Sequence, residues 1–178
     1  IAPITGLTKL GIEKVPPMVT RGVLFDMTKV WEIEYLKAGQ TFSVKDLQVA
    51  EKKQGVKVQK GDVVLFHTGW TDAMLEKFPE KWGAEIPGLT PELAQYLADK
   101  EVIAVGSDTY GLDVIPPVNP MEPFQGHVIL LQENGIYILE AMNTGPLAKD
   151  KTYEFLFVLG QAKVRGAVQM YINPIAIK

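Results

Sequence analysis

Apolar positions along the chain fall into short runs separated by turn residues, and the runs read alternately as strands and helices. Residues 1–18 carry no regular pattern. Pro16-Pro17 stops any element beginning there, because proline removes a donor and restricts its predecessor. Val19–Met27 reads as a buried strand centred on Val23-Leu24-Phe25. Ser43 opens a helix through a capping box with Asp46 as its acid. Val44, Leu47 and Ala50 give that helix an apolar face, Lys52 and Lys53 suit its negative end, and Gly55 suits a left-handed C-cap. After the turn at Lys60-Gly61-Asp62, residues Asp62–Thr68 are apolar on both faces and predict a central strand. A short helix is expected from Thr71, as N-cap, to Phe78, with Pro79 ending it and a loop over 80–89. Thr90-Pro91-Glu92 opens a second amphipathic helix, buried along Leu93, Ala94, Tyr96 and Leu97. Val102–Val105 is a further strand, ended by Gly106-Ser107-Asp108.

The C-terminal third reads differently. Residues 109–126 form a long loop with prolines at 116, 117, 120 and 123, and long structured loops tend to wall functional sites. A hairpin is expected next, His127–Gln132 against Ile136–Met142, turning at Asn134-Gly135. Tyr153–Leu159 is a strand, and the tail to Ile177 is extended. One helix precedes the 102–105 strand, yet strands dominate afterwards. The order predicts a mixed α/β fold, a mixed sheet or small barrel packed with helices, and not a doubly wound parallel one. The chain reads as a single domain over 1–178, without repeat or linker.

Candidate chemistry centres on that hairpin. With Asn134-Gly135 as its loop, His127, Ile129, Leu131, Ile138 and Glu140 share one face, because strand side chains alternate. His127 and Glu140 are then diagonal neighbours about 7–8 Å apart at the backbone, within reach of one metal ion. An ionised Glu facing apolar neighbours is costly unless paired or metal-bound. The competing reading puts both residues at open strand ends, bonded to each other or to solvent. His67 shares a face with Val63 and Leu65 at the end of its strand, either as a catalytic candidate or as a core or rim histidine. Trp70 is a core anchor or an aromatic wall for a flat substrate. Asp108 is a substrate-binding or histidine-orienting acid, or a loop cap. Ser107 lies in no G-x-S-x-G elbow, and no dinucleotide, P-loop or H-E-x-x-H pattern occurs.

Composition narrows these options. Cysteine is absent, which excludes disulfides and thiolate metal sites. The chain has two histidines, so one chain cannot supply a three-histidine site. A net charge of −3 without a Lys/Arg cluster gives no nucleic-acid surface, and the apolar runs are too short to span a membrane. No signal peptide is visible, and a cytoplasmic location is expected. The chain opens at Ile1 rather than Met, and is expected to lack its N-terminal segment.

Several stretches in order resemble the cyclase family of metal-dependent hydrolases, which includes bacterial kynurenine formamidase and isatin hydrolase. They are Leu10–Pro17, Val19–Leu24, Gly61–Leu65 running to Thr68-Gly69-Trp70, Val105–Thr109, His127–Leu131, Asn134–Glu140 and Phe155–Val158. The resemblance implies a swivelling β/β/α-type fold, a homo-oligomer (dimer or tetramer), and a divalent metal, Zn or Mn. It also implies hydrolysis of a carbon–nitrogen bond (amide or lactam) or a lactone in a small-molecule substrate, cyclic and aromatic ones included. The family's first ligands lie in an H-x-G-T-H-x-D motif that normally precedes the Leu10–Pro17 region and is absent from this sequence. Its second group, a His and a Glu, matches His127 and Glu140, although the spacing here is one residue wider than the family's usual pattern. Many relatives carry Arg at the position of His67, so no role carries over there. The expectation is a hydrolase whose residues 1–178 are inactive alone. The alternative is a catalytically degenerate relative that binds or builds structure.

Overall fold

A computed structural model describes Gly6 and residues 11–178. Residues 1–5 and 7–10 lie outside the described residues, and with them part of the irregular opening. Ile12–Lys14 makes one 3-10 turn before β1, Met18–Asp26. A short α1, Thr28–Trp31, leads to β2, Thr41–Phe42. Then α2, Val44–Gln54, runs from Ser43 to Gly55. Asp46 Oδ2 accepts the Ser43 backbone N–H at 2.8 Å, and Gly55 takes the left-handed conformation at φ 74°. β3, Val63–His67, is fully buried, as a central strand requires.

The next stretch differs from the sequence expectation. α3, Trp70–Met74, starts from Gly69, not Thr71, because the Thr71 hydroxyl instead donates to the Asp108 carbonyl. Pro79 does not end a helix. It occupies the first turn of α4, Pro79–Trp82, where its missing N–H costs nothing. The expected loop therefore contains α4 and also β4, Gly88–Leu89, which pairs with β2. α5, Pro91–Asp99, follows with the Thr90 side chain accepting from Leu93 N–H at 3.3 Å. β5 is Ala104–Ser107.

The hairpin does not form. Gln125–His127 is a turn of α-helix, α6, continued by a π-helical segment over Val128–Glu133. A continuous apolar run cannot by itself distinguish a strand from a buried helix. Two contacts decide it here. The Asp113 carboxylate accepts the backbone N–H groups of Gly126 and His127, at 2.6 and 3.1 Å, and so caps the helix from a distant loop. Gly135 at φ 65° ends the segment, while Asn134 Nδ2 donates to the Ile129 carbonyl at 2.8 Å. β6, Tyr137–Leu139, then pairs parallel with β5. A short α7, Gly145–Lys149, β7, Glu154–Leu159, and β8, Ile175–Ile177, complete the chain.

The main sheet has the order β6-β5-β3-β1-β7-β8. The first four strands are mutually parallel, and β7 and β8 run antiparallel to their neighbours. It is an open mixed sheet, not a barrel. One face carries Val23, Phe25, Val64 and Phe66 under α2 and α5, with Leu130 of the π-helical segment fully buried there. The other carries Met18, Leu24, Leu65, Leu139 and Phe157, with Val15 and Ala148 in the same cluster. Among the described residues, no helix is long and apolar enough to cross a membrane.

Gly106 shows how tightly β5 and β6 approach. A Cβ there would lie 2.7 Å from the Leu139 carbonyl oxygen and 2.8 Å from a Leu65 methyl. Gly106→Ala is expected to lower stability by about 1–3 kcal/mol, the usual cost of overpacking. Urea unfolding measures this, and an unchanged midpoint would contradict the tight β5–β6 approach.

Candidate metal centre at the carboxyl edge of the sheet

Because β1, β3, β5 and β6 are parallel, their carboxyl ends share one edge of the sheet. Asp26, His67, Ser107-Asp108 and Leu139-Glu140 stand at those ends. In open α/β sheets this edge is where ligands bind.

His127 and Glu140 do meet, though not across a hairpin. His127 is the last residue of α6 and Glu140 the first past β6, and Nε2 lies 3.3 Å from Glu140 Oε1. Both side chains are about one-third exposed, at 31% and 37%. His127 Nδ1 lies 2.6 Å from Asp113 Oδ2. Asp113 therefore fixes the ring twice, through the backbone it caps and through Nδ1, and leaves Nε2 turned to Glu140. A carboxylate behind a histidine, holding its other nitrogen, is the usual support of a histidine metal ligand. The His127 pKa is raised from 6.5 to about 9, first by its hydrogen bond with Asp113 and then by Glu140, against the opposing effect of burial. The two carboxylates, one at each ring nitrogen, favour the charged form of His127.

Asp113 was not singled out in the sequence. Its signal is modest: an acid between Leu112 and Val114, both buried, inside the proline-rich loop. Phe124, half exposed at φ 60°, packs its ring edge-on to His127 with centroids 6.1 Å apart.

The other sequence candidates sit deeper. Trp70 is 3% exposed, edge-on to Tyr35 at 6.4 Å. Asp108 is buried, and its Oδ1 accepts the backbone N–H and hydroxyl of Thr68, at 2.8 and 2.6 Å. Burial pushes the Asp108 carboxyl up, against the pull of His67 and Thr68. His67 Nδ1 lies 2.8 Å from Thr144 Oγ1 and 3.7 Å from Asp108 Oδ2. The structure thus brings His127 together with Glu140, and His67 with Asp108, as two separate pairs. Among the described residues, no three His, Asp or Glu side chains converge as a metal cluster.

The Cyclase family model matches residues 3–114, more than half of the chain. The chain belongs to the cyclase family. A crystal structure described as a novel cyclase superposes with a TM-score of 0.87 at 29% identity, covering 98% of this chain and 58% of that one. Isatin hydrolase A from Ralstonia solanacearum gives 0.78 at 20% identity, covering 98% and 68%. A structure described as a potential metal-dependent hydrolase with cyclase activity gives 0.65 at 22%, covering 98% and 74%. The chain thus spans 58% of the length of the novel cyclase, and the fold it shares with all three is the mixed sheet packed with helices. No protein of curated function matches it in sequence.

The role of Asp113 is testable by proton NMR of the two imidazoles. In the metal-free protein, His127 is expected to titrate near pH 9, and Asp113→Asn to bring it down toward 6.5 by removing the largest cause of the shift. Because the folded-state pKa is raised, the imidazolium's contribution to stability is present below about pH 6.5 and is lost as pH rises through about 9. An Asp113→Asn protein with unchanged His127 titration would contradict the assignment.

Proposed function

We propose that this cyclase-family chain supplies part of a divalent-metal site in a hydrolase. Its substrates would be amide, lactam or lactone carbonyls of small molecules, cyclic and aromatic ones included. The observation that carries the reading is the 3.3 Å approach of His127 Nε2 to Glu140 Oε1, with Asp113 behind the ring. Two donors at that separation can each sit about 2.0–2.2 Å from one ion at an angle near tetrahedral. An imidazole and a carboxylate suit Zn or Mn. Such an ion polarises a carbonyl and acidifies bound water.

The chain's own residues do the rest. Asp113 holds Nδ1 protonated, so Nε2 keeps its lone pair for the ion once its proton is displaced. Glu140 supplies the negative charge. Phe124 stands edge-on beside the His127 ring. A cleft of ≈ 450 Å³ reaches Glu140 from the other face of the sheet, lined also by Leu65, Met142, Thr144 and Phe155; His127, Asp113 and Phe124 do not line it. The hydrolase reading is supported by the fold shared with isatin hydrolase A and with the potential metal-dependent hydrolase with cyclase activity. Homo-oligomeric assembly belongs to the same reading.

Catalytic zinc sites ordinarily take three protein ligands, and His127 with Glu140 makes two. Residues 1–178 alone are therefore expected to hydrolyse such substrates poorly. The competing reading, a degenerate relative that only binds or builds structure, predicts no metal on this pair. Metal titration by calorimetry separates them. Zn²⁺ or Mn²⁺ is expected to bind, with affinity rising between pH 6 and 9 as the His127 proton becomes easier to displace, and Glu140→Ala is expected to lose on the order of tenfold or more. Equal affinity in wild type and Glu140→Ala would refute the proposed site.

A further inference from the structure

Glu140 owes its direction to a turn that begins at the very next residue. Ala141 sits at φ 52°, in the left-handed region that alanine rarely adopts. Such a conformation persists only where the surroundings over-determine it. Here the backbone is pinned on one side by the end of β5 and the residues just past it. Ala141 N–H donates to the Thr109 carbonyl at 2.7 Å, and Met142 N–H to the Ser107 carbonyl at 2.9 Å.

A second anchor reaches further across the sheet. Thr144, at the end of the same turn, is 1% exposed, and its hydroxyl lies 2.8 Å from His67 Nδ1. His67 is the last residue of β3, two strands away from β6, and is itself 7% exposed. Asp108, at the end of the strand between, lies beside it. Asp108 Oδ1 is taken by Thr68, while Oδ2 is buried with no hydrogen-bond partner among the described residues and lies 3.7 Å from His67 Nδ1. An unpartnered buried carboxylate oxygen is costly, and the imidazole is the group beside it that can offset the cost. The ring is thus held between a hydroxyl in bonding contact and a carboxylate just beyond.

We propose that His67 is a positioning residue. Through Thr144, with Asp108 beside it, His67 fixes the turn over 140–144 and so the aim of the Glu140 carboxylate at His127. The inference takes its functional meaning from the proposed metal site, but the clamp itself is a matter of packing and can be tested without metal.

Thr144→Val keeps the shape of the side chain and removes its hydroxyl, whereas Thr144→Ser keeps the hydroxyl. Two readouts apply to the purified protein: amide hydrogen exchange at Ala141 and Met142, and Mn²⁺ affinity by calorimetry. Thr144→Val is expected to exchange faster at both amides and to bind Mn²⁺ on the order of tenfold more weakly, the usual loss for a group that orients a ligand. Thr144→Ser is expected to stay within about twofold of wild type, well inside that loss. His67→Leu should reproduce the Val result, and His67→Asn, which keeps a polar atom near the position of Nδ1, should recover part of it. Val and Ser proteins that behave alike in exchange would overturn the proposal. Wild-type protein that binds no Mn²⁺ would refute the metal reading instead, and the exchange arm would still decide whether the clamp holds the turn.

Discussion

The carboxylate of Asp113 accepts from the backbone N–H groups of Gly126 and His127 and lies against His127 Nδ1. Those contacts join a proline-rich loop to the start of a helix that has no strong local cap. Helix N-terminal N–H groups lacking partners are costly to bury, so the cap decides whether 125–133 can be helical at all. Once it is helical, Leu130 turns into the core beneath α5, and Nε2 of His127 is left facing Glu140. One buried acid therefore fixes a helix, the orientation of a ring and the polarity of its exposed nitrogen.

The rest of the sheet serves the same edge. Parallel pairing of β1, β3, β5 and β6 brings four carboxyl ends together, and a glycine at 106 lets β6 lie close against β5. Buried polar groups just inside that edge are nearly all bonded. Thr68 holds Asp108, Thr144 meets His67, and Asp26 Oδ1 accepts from the Thr28 hydroxyl and backbone. Such networks specify one arrangement because a half-made alternative would strand a buried polar atom. A rigid edge keeps one histidine and one glutamate, each about one-third exposed, facing each other.

Much of this was legible in the sequence. The capped helices over 44–54 and 91–99, the buried central strand ending at His67 and the mixed sheet follow from local periodicity and capping residues, which act over a few positions. The His127–Glu140 pair was also found, although the hairpin invoked for it does not exist. An apolar run of four residues, Val128–Leu131, is compatible with strand or helix, and Asn134-Gly135 suits a helix end as well as a hairpin turn. What resolved both was Asp113, fourteen residues before His127, and no local pattern carries a contact of that range. Thr144 was invisible for the same reason, since its partner lies on β3. Thr71 and Pro79 misled because each can start or stop a helix, and the choice fell to the Asp108 carbonyl and to the sequence following the proline.

Membership of the cyclase family rests on a sequence match over residues 3–114 and on a fold shared with the novel cyclase at a TM-score of 0.87. The proposed chemistry rests on the three side chains at the sheet edge. Anomalous diffraction from crystals grown with Mn²⁺ or Zn²⁺ tests it most directly. The account predicts a metal peak within coordination distance of both His127 Nε2 and Glu140, with Asp113 remaining on Nδ1. A peak elsewhere, or none at this pair in crystals holding the ion at saturating concentration, would contradict it.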